Sequence, residues 1–172
     1  MSTPNGVYVE DIVHEGTVIE TVAERIKNRT LAEDILDDDG NVVFAEGTHP
    51  TMLEAAVKAK AEGICHPVLL GNEDQIRHMA EEMDLKISDI EILNLRNDDQ
   101  TDRRRRYAEI LANKMQRKGY TLQEAIDKMY ERNYFGMMMV ETGEADAFIT
   151  GLYTKYSNTI KVANEVIGIR EG

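Results

Sequence analysis

The chain has 172 residues and carries 32 acidic against 20 basic side chains, a formal net charge of −12. That length suits one domain, or one lobe of a larger protein, with a sizeable core. The acidic balance argues against general nucleic-acid or anionic-membrane binding, because both need a basic surface that displaces counterions.

A small anionic ligand is still compatible, since a local site can be basic on an acidic protein. Cys65 is the single cysteine, so no intramolecular disulfide can form, which suits a reducing compartment. No apolar run approaches the roughly 18 residues needed to cross a bilayer, and the opening "MSTPNGVYVED" lacks the basic-then-apolar layout of a signal peptide. The expectation is a soluble cytoplasmic protein with neither a nucleic-acid nor a membrane partner.

Residues 1–39 are read as an extension whose origin the sequence does not fix. "GTVIETVAERIKNR" has helical spacing, with Thr17 and Glu20 as a capping box. "DDDGN" is a turn signal that also invites a calcium reading through Asp37, Asp39, Gly40 and Glu46. The register fails, however, because the first ligand position of such a loop would be Ile35.

Strands and helices then alternate through residues 40–172. "NVVFAEG" reads as a β-branched strand ending at a glycine, and "PTMLEAAVKAKAEG" as a helix with Met52, Leu53, Ala56, Val57 and Ala61 on one face. "HPVLLG" repeats the strand-then-glycine pattern before a helix in "NEDQIRHMAEEM", with Asn72 as its cap. "DIEILNL" is a third strand, and "RNDDQTD" opens a long helix whose acids sit at the positive N-terminal end. Thr121 and Glu124 form a capping box, and the helix after it is expected to run on through "NYFGMMMVE" to Gly143. "ADAFITG" is a fourth strand and "SNTIKVANEVIG" a final helix. Short connections between nearly uninterrupted apolar strands favour a parallel sheet covered by helices, an α/β fold.

Gly47, Gly71 and Gly151 each end a strand. In an open parallel sheet, ligands bind beyond the carboxyl ends of the strands, where helix N-termini favour anions. "TGLYTKYSNT" is the richest of these segments. Thr150, Gly151, Thr154, Ser157, Asn158, Thr159 and Lys161 are therefore the candidate ligand-binding residues, with Tyr153, Tyr156 and Lys155 beside them; the competing reading is a polar loop that caps the last helix.

Other motifs point to scaffold. The "RRRR" run at 103–106 fans around a helix, with Asp99–Arg103 and Asp102–Arg106 as i,i+4 pairs, and is read as a solvated or interface face. His14, His49, His66 and His78 have no metal-ligand spacing with Cys65, which is read as packing filler. Met137, Met138 and Met139 cover most of a helix circumference, as suits a helix wedged between sheet and neighbour, and Gly136 would let another backbone approach. No catalytic residue and no metal ligand is expected in this chain.

"VVFAEGTHPTMLEAAVKAKAEGICHPVLLGNEDQI" and "GYTLQEAIDKMYERNYFGMMMVETGEADAFITG" resemble the phosphotransacetylase family, the phosphate acetyl- and butyryltransferases. The order of "EG", "PVLLG" and "GEADAFITG…VIGIREG" is most similar to the phosphotransacetylase-like C-terminal domain of large bacterial NADP-dependent malic enzymes. Residues 1–39 do not match what is expected ahead of that domain. The resemblance implies a three-layer α/β/α fold with a mainly parallel sheet, isocitrate/isopropylmalate dehydrogenase-like. Residues 40–172 would form the N-terminal lobe of a two-lobe domain, truncated to about its first half.

The resemblance also implies that coenzyme A and acyl phosphate bind between lobes and that the catalytic Ser and Asp lie in the absent second half. Met115 and Lys161 stand where the transferases carry arginines. Loss of one bidentate guanidinium and replacement of another by an ammonium would weaken acyl-phosphate positioning. The expected role is an acetyl-CoA-sensing regulatory and oligomerisation module, inactive alone and homo-oligomeric. NADP and a divalent metal would belong only to the absent malic-enzyme part. The alternative is the N-terminal half of an active phosphate acetyl/butyryltransferase.

Overall fold

The computed structural model describes residues 40–168. The helix expected over "GTVIETVAERIKNR", its capping box, and Asp37 and Asp39 lie outside them. Four β-branched or apolar runs form parallel strands: β1 (Asn41–Phe44), β2 (His66–Leu70), β3 (Glu91–Leu93) and β4 (Ala147–Ile149). They lie in the order β3-β2-β1-β4. Val43 pairs with Val68 on one side and Phe148 on the other, and Leu69 pairs with Ile92.

Because side chains alternate along a strand, each strand feeds both faces. Val42, Phe44 and Leu69 join one cluster with Met52, Leu53, Ala56, Ile76 and Ala80. Those residues come from α1 (Pro50–Ala61) and α2 (Glu73–Glu82). Val43, Val68 and Leu70 join the opposite cluster with Tyr107, Leu111, Phe135, Met138 and Val162. This second layer contains α3 (Thr101–Met115), α4 (Leu122–Lys128), α5 (Arg132–Glu141) and α6 (Tyr156–Val166). The result is the expected three-layer α/β/α fold, each buried aliphatic side chain contributing about 1.5–3 kcal/mol.

Several local expectations hold. Asn72 caps α2 through Gln75 N–H at 3.0 Å, and Thr121 and Glu124 close a reciprocal capping box on α4. Others need correction. On α1, Ala55 and Ala59 are buried whereas Ala61 is exposed. The helix after the capping box does not run on: it stops at Lys128 and a new one starts at Arg132. Turn bonds from Tyr130 N–H to Asp127 O and from Glu131 N–H to Lys128 O fill the break. Every residue from Asn133 to Met139 is buried, so the methionines are core, as their spacing predicts.

Gly136 admits a ring and not another backbone. A Cβ there would lie 2.2 Å from Phe148 Cε2, so the aromatic ring of β4 rests directly on the glycine. The four arginines also have different fates. Arg104 is 4% exposed, donates to Leu95 O and to Asn97 O at 2.8 Å, and stacks over Tyr130 at 4.8 Å. Arg103 and Arg106 reach Glu144 in place of the expected Asp99 and Asp102, and Arg105 pairs with Glu109.

Candidate functional site

All four strands point the same way, so their carboxyl ends form one edge. Order β3-β2-β1-β4 reverses between β1 and β4. The chain leaving β1 enters α1 on one face, while the chain leaving β4 enters α6 on the other. The two connections therefore part toward opposite faces at the switch point, the position of the ligand crevice in open α/β sheets. Residues 45–49 form one wall and residues 150–155 the other.

A carboxylate joins these walls. Glu46 is 1% exposed, at the end of β1, and accepts three backbone hydrogen bonds from the loop after β4. Its Oε2 receives Gly151 N–H at 3.1 Å and Leu152 N–H at 2.9 Å, and its Oε1 receives Tyr153 N–H at 2.8 Å. Gly151 has φ +137°, a conformation that favours glycine, which lets the loop turn its consecutive amides onto one acceptor. Hydrogen bonds to an ionised group contribute about 1.5–3 kcal/mol each. The same carboxylate is thus committed within the fold, and the calcium reading of Glu46 has no free ligand to offer.

Behind the loop, Thr150 and Thr159 are 6% and 4% exposed. Thr150 donates to Asn133 Oδ1 at 3.1 Å, and Asn133 Nδ2 approaches Thr159 Oγ1 at 3.5 Å. Those two hydroxyls tie β4 to α5 and α6 and do not face the crevice mouth. In front, Tyr153 is exposed and lies between the His49 ring, with centroids 5.0 Å apart, and the Arg132 guanidinium at 5.9 Å. Thr154 is half-buried, while Lys155, Ser157, Asn158 and Lys161 are exposed.

Ser157 and Lys161 are four residues apart on α6 and so share a face. Lys161 Nζ lies 4.0 Å from Glu165 Oε1, a loose ion pair on an exposed side chain. Glu165 itself receives the Tyr134 hydroxyl at 2.5 Å and the Tyr120 hydroxyl at 3.0 Å. Burial and this carboxylate push the Tyr134 phenol upward, which keeps it a donor. The candidate residues therefore divide into buried anchors, Thr150 and Thr159, and accessible polar groups centred on Lys155 and Lys161.

Met115, which the resemblance sets where the transferases carry an arginine, is a core residue here. It is 4% exposed in the core at the C-terminal end of α3, where neighbouring Lys114 bonds to the Val166 and Ile167 carbonyls at the far end of α6. Its side chain packs in the core cluster with Leu111, Val162 and Val166.

Cys65 is half-buried before β2, and burial pushes its thiol up to about 11, partly opposed by Lys60. A thiol held protonated is a poor nucleophile. Among the described residues, no group of three or more His, Cys, Asp or Glu side chains could hold a metal ion. No helix among them is long and apolar enough to cross a membrane.

Sequence reasoning missed Glu46 and Asn133 as organisers of the site. The available signals were an acid closing an apolar strand in "VVFAEG" and a polar residue heading the apolar run "NYFGMMM". Both partners lie far along the chain, 105 residues away for Glu46 and Gly151.

The family described as Phosphate acetyl/butaryl transferase matches residues 18–172. The match reaches into the segment 1–39. A phosphate acetyltransferase of Thermoanaerobacterium thermosaccharolyticum is 31% identical over 156 residues, covering 91% of this chain and 43% of the relative. An NADP-dependent malic enzyme of Rhizobium meliloti is 28% identical over 170 residues, covering 95% of this chain and 22% of the relative. The fold is also similar to the EutD phosphotransacetylase from Staphylococcus aureus, with TM-score 0.71 and 22% identity over 90% of this chain and 44% of that one. This chain thus spans less than half the length of the transferases it matches. It belongs to the phosphate acetyl/butyryl transferase family.

Proposed function

We propose that this chain is a phosphotransacetylase-like lobe that binds a CoA thioester or an acyl phosphate in the crevice beyond β1 and β4. The single observation that carries the reading is the loop from Thr150 to Lys161. It stands at the point where the strand order reverses and presents Lys155, Ser157, Asn158 and Lys161 to solvent. Thr154 and Gly151 shape its turn, and Thr150 and Thr159 anchor it from behind. Cations and hydroxyls beside a helix N-terminus suit a phosphate-bearing ligand.

Its role is that of an acetyl-CoA-sensing and self-assembling module of an NADP-dependent malic enzyme. The near-complete cover of this chain by the Rhizobium meliloti relative supports that placement. Exposed Leu152, Tyr153 and Tyr156 beside the crevice give apolar surface for a second lobe or a second copy. NADP and a divalent metal then act elsewhere in the parent protein.

Calorimetric titration of acetyl-CoA, CoA and acetyl phosphate into the chain tests the ligand reading, with Lys161→Ala as control. Saturable acetyl-CoA binding, weakened about tenfold by removal of the cation, is the expected result. No heat with any of the three ligands contradicts it.

A second reading has its own support: this lobe is the N-terminal half of a working phosphate acyltransferase. The transferase relatives favour it. Phosphate-dependent cleavage of acetyl-CoA by the complete parent protein, abolished by Lys161→Ala, would establish transfer in place of sensing.

A further inference from the structure

We infer that Glu46 is the positioning residue of the ligand loop: its carboxylate fixes the backbone of residues 151–153 and thereby sets which groups the loop offers to an anion. The inference rests on the reading of Thr150–Lys161 as a ligand site. Three consecutive backbone N–H groups turned to one side make a natural anion nest. Here the nest is filled from within the fold by Glu46, at 2.8–3.1 Å from all three amides.

Two consequences follow from that geometry. The amides of Gly151, Leu152 and Tyr153 are not available to a phosphate, so an anionic ligand must be held elsewhere, at the start of α6 and by side chains, with Lys155, Lys161 and Arg132 the nearby cations. The loop is also locked across the crevice, because Glu46 belongs to the chain leaving β1 whereas its donors follow β4. That lock holds Tyr153 against His49 and Arg132. Tyr153, 58% exposed at the mouth with Arg132 over its ring, gives aromatic surface for a planar heteroaromatic group, which a CoA ester carries and acetyl phosphate does not.

The test uses the 172-residue chain and its Glu46→Gln and Glu46→Asp forms. Glutamine keeps the length but retains one carbonyl acceptor and turns an amide NH2 donor toward the nest; aspartate keeps the charge one methylene short. Amide hydrogen exchange followed by NMR reads the lock without any ligand. Glu46→Gln should lose about tenfold or more in protection at Gly151, Leu152 and Tyr153, with Val43 and Leu69 of the sheet unchanged, and Glu46→Asp should recover part of it. Unchanged protection at the three amides overturns the inference.

Titration of acetyl-CoA and inorganic phosphate supplies the second arm. Positioning predicts weaker acetyl-CoA binding in Glu46→Gln and no gain in phosphate affinity. Tighter phosphate binding would show instead that Glu46 blocks an amide site, and would overturn positioning. If the unaltered chain binds neither probe, the ligand reading fails, while the exchange result still decides whether Glu46 holds the loop.

Discussion

The connections after β2 and after β4 leave the same edge of the same sheet, yet they are built differently. After β2 the chain turns through Gly71 and Asn72 and enters α2 at once, with Asn72 capping its own helix. After β4 six residues intervene before α6, and their backbone is held by Glu46 from another strand and their first hydroxyl by Asn133 from another helix. The first connection caps its own helix locally, Asn72 serving Gln75 three residues on, and reaches outside itself through the ladder bond from Gly71 N–H to Leu93 O at 3.0 Å. The second is assembled from distant parts of the chain, which is what a surface that must present chosen groups requires.

Gly136→Ala attacks the support beneath the second connection and should have the largest effect. Its new Cβ would meet the Phe148 ring at 2.2 and 2.6 Å, so β4 must shift. A loss of about 3 kcal/mol is expected in urea unfolding, at the upper end of overpacking costs, accompanied by larger amide shift changes at 150–155 than at 71–72, where only the milder contact with Leu70 at 3.3 Å is felt. Equal disturbance of both connections would remove the distinction between them.

Asn72→Ala probes the locally capped connection. It should cost about 1 kcal/mol, the usual value of a lost N-cap, and leave acetyl-CoA affinity unaltered. A weakened affinity would mean that the β2 connection also contributes to ligand binding.

The smallest effect concerns Cys65, at the opposite edge of the sheet. Its folded-state value of about 11 lies above the reference 9.0 because burial disfavours the thiolate. The stabilisation this represents is complete below pH 9 and is lost as pH rises toward 11. Iodoacetamide should therefore label the folded chain slowly at pH 8 and faster as pH approaches 11, whereas the urea-unfolded chain reacts readily at pH 9. Equal rates at pH 8 would contradict the burial of this thiol.

The periodicity of the chain exposed most of the scaffold. Apolar runs such as "PVLLG" and the capping box at Thr121 are local signals, and the elements they predict are present. The break between α4 and α5 was not legible, because "KMYER" has no strong helix breaker. It arises from tertiary demands: α4 packs on α3, while α5 must lie against β4 and α6, and Tyr130 in the break stacks under Arg104. Glu46 and Asn133 were missed for the same kind of reason, since a hydrogen bond across 105 residues leaves no periodic trace. What could be read was the segment that carries the candidate site; what could not be read was the side chains that hold that segment in place.

The most direct test of the central claim is an amide-resolved NMR titration of acetyl-CoA into the chain. The account predicts saturable shifts at Gly151–Lys161 and at Glu46–His49, the two walls of the crevice, with Gly71 and Asn72 unaffected. Shifts confined to another surface, or no saturable shift at all, would contradict it.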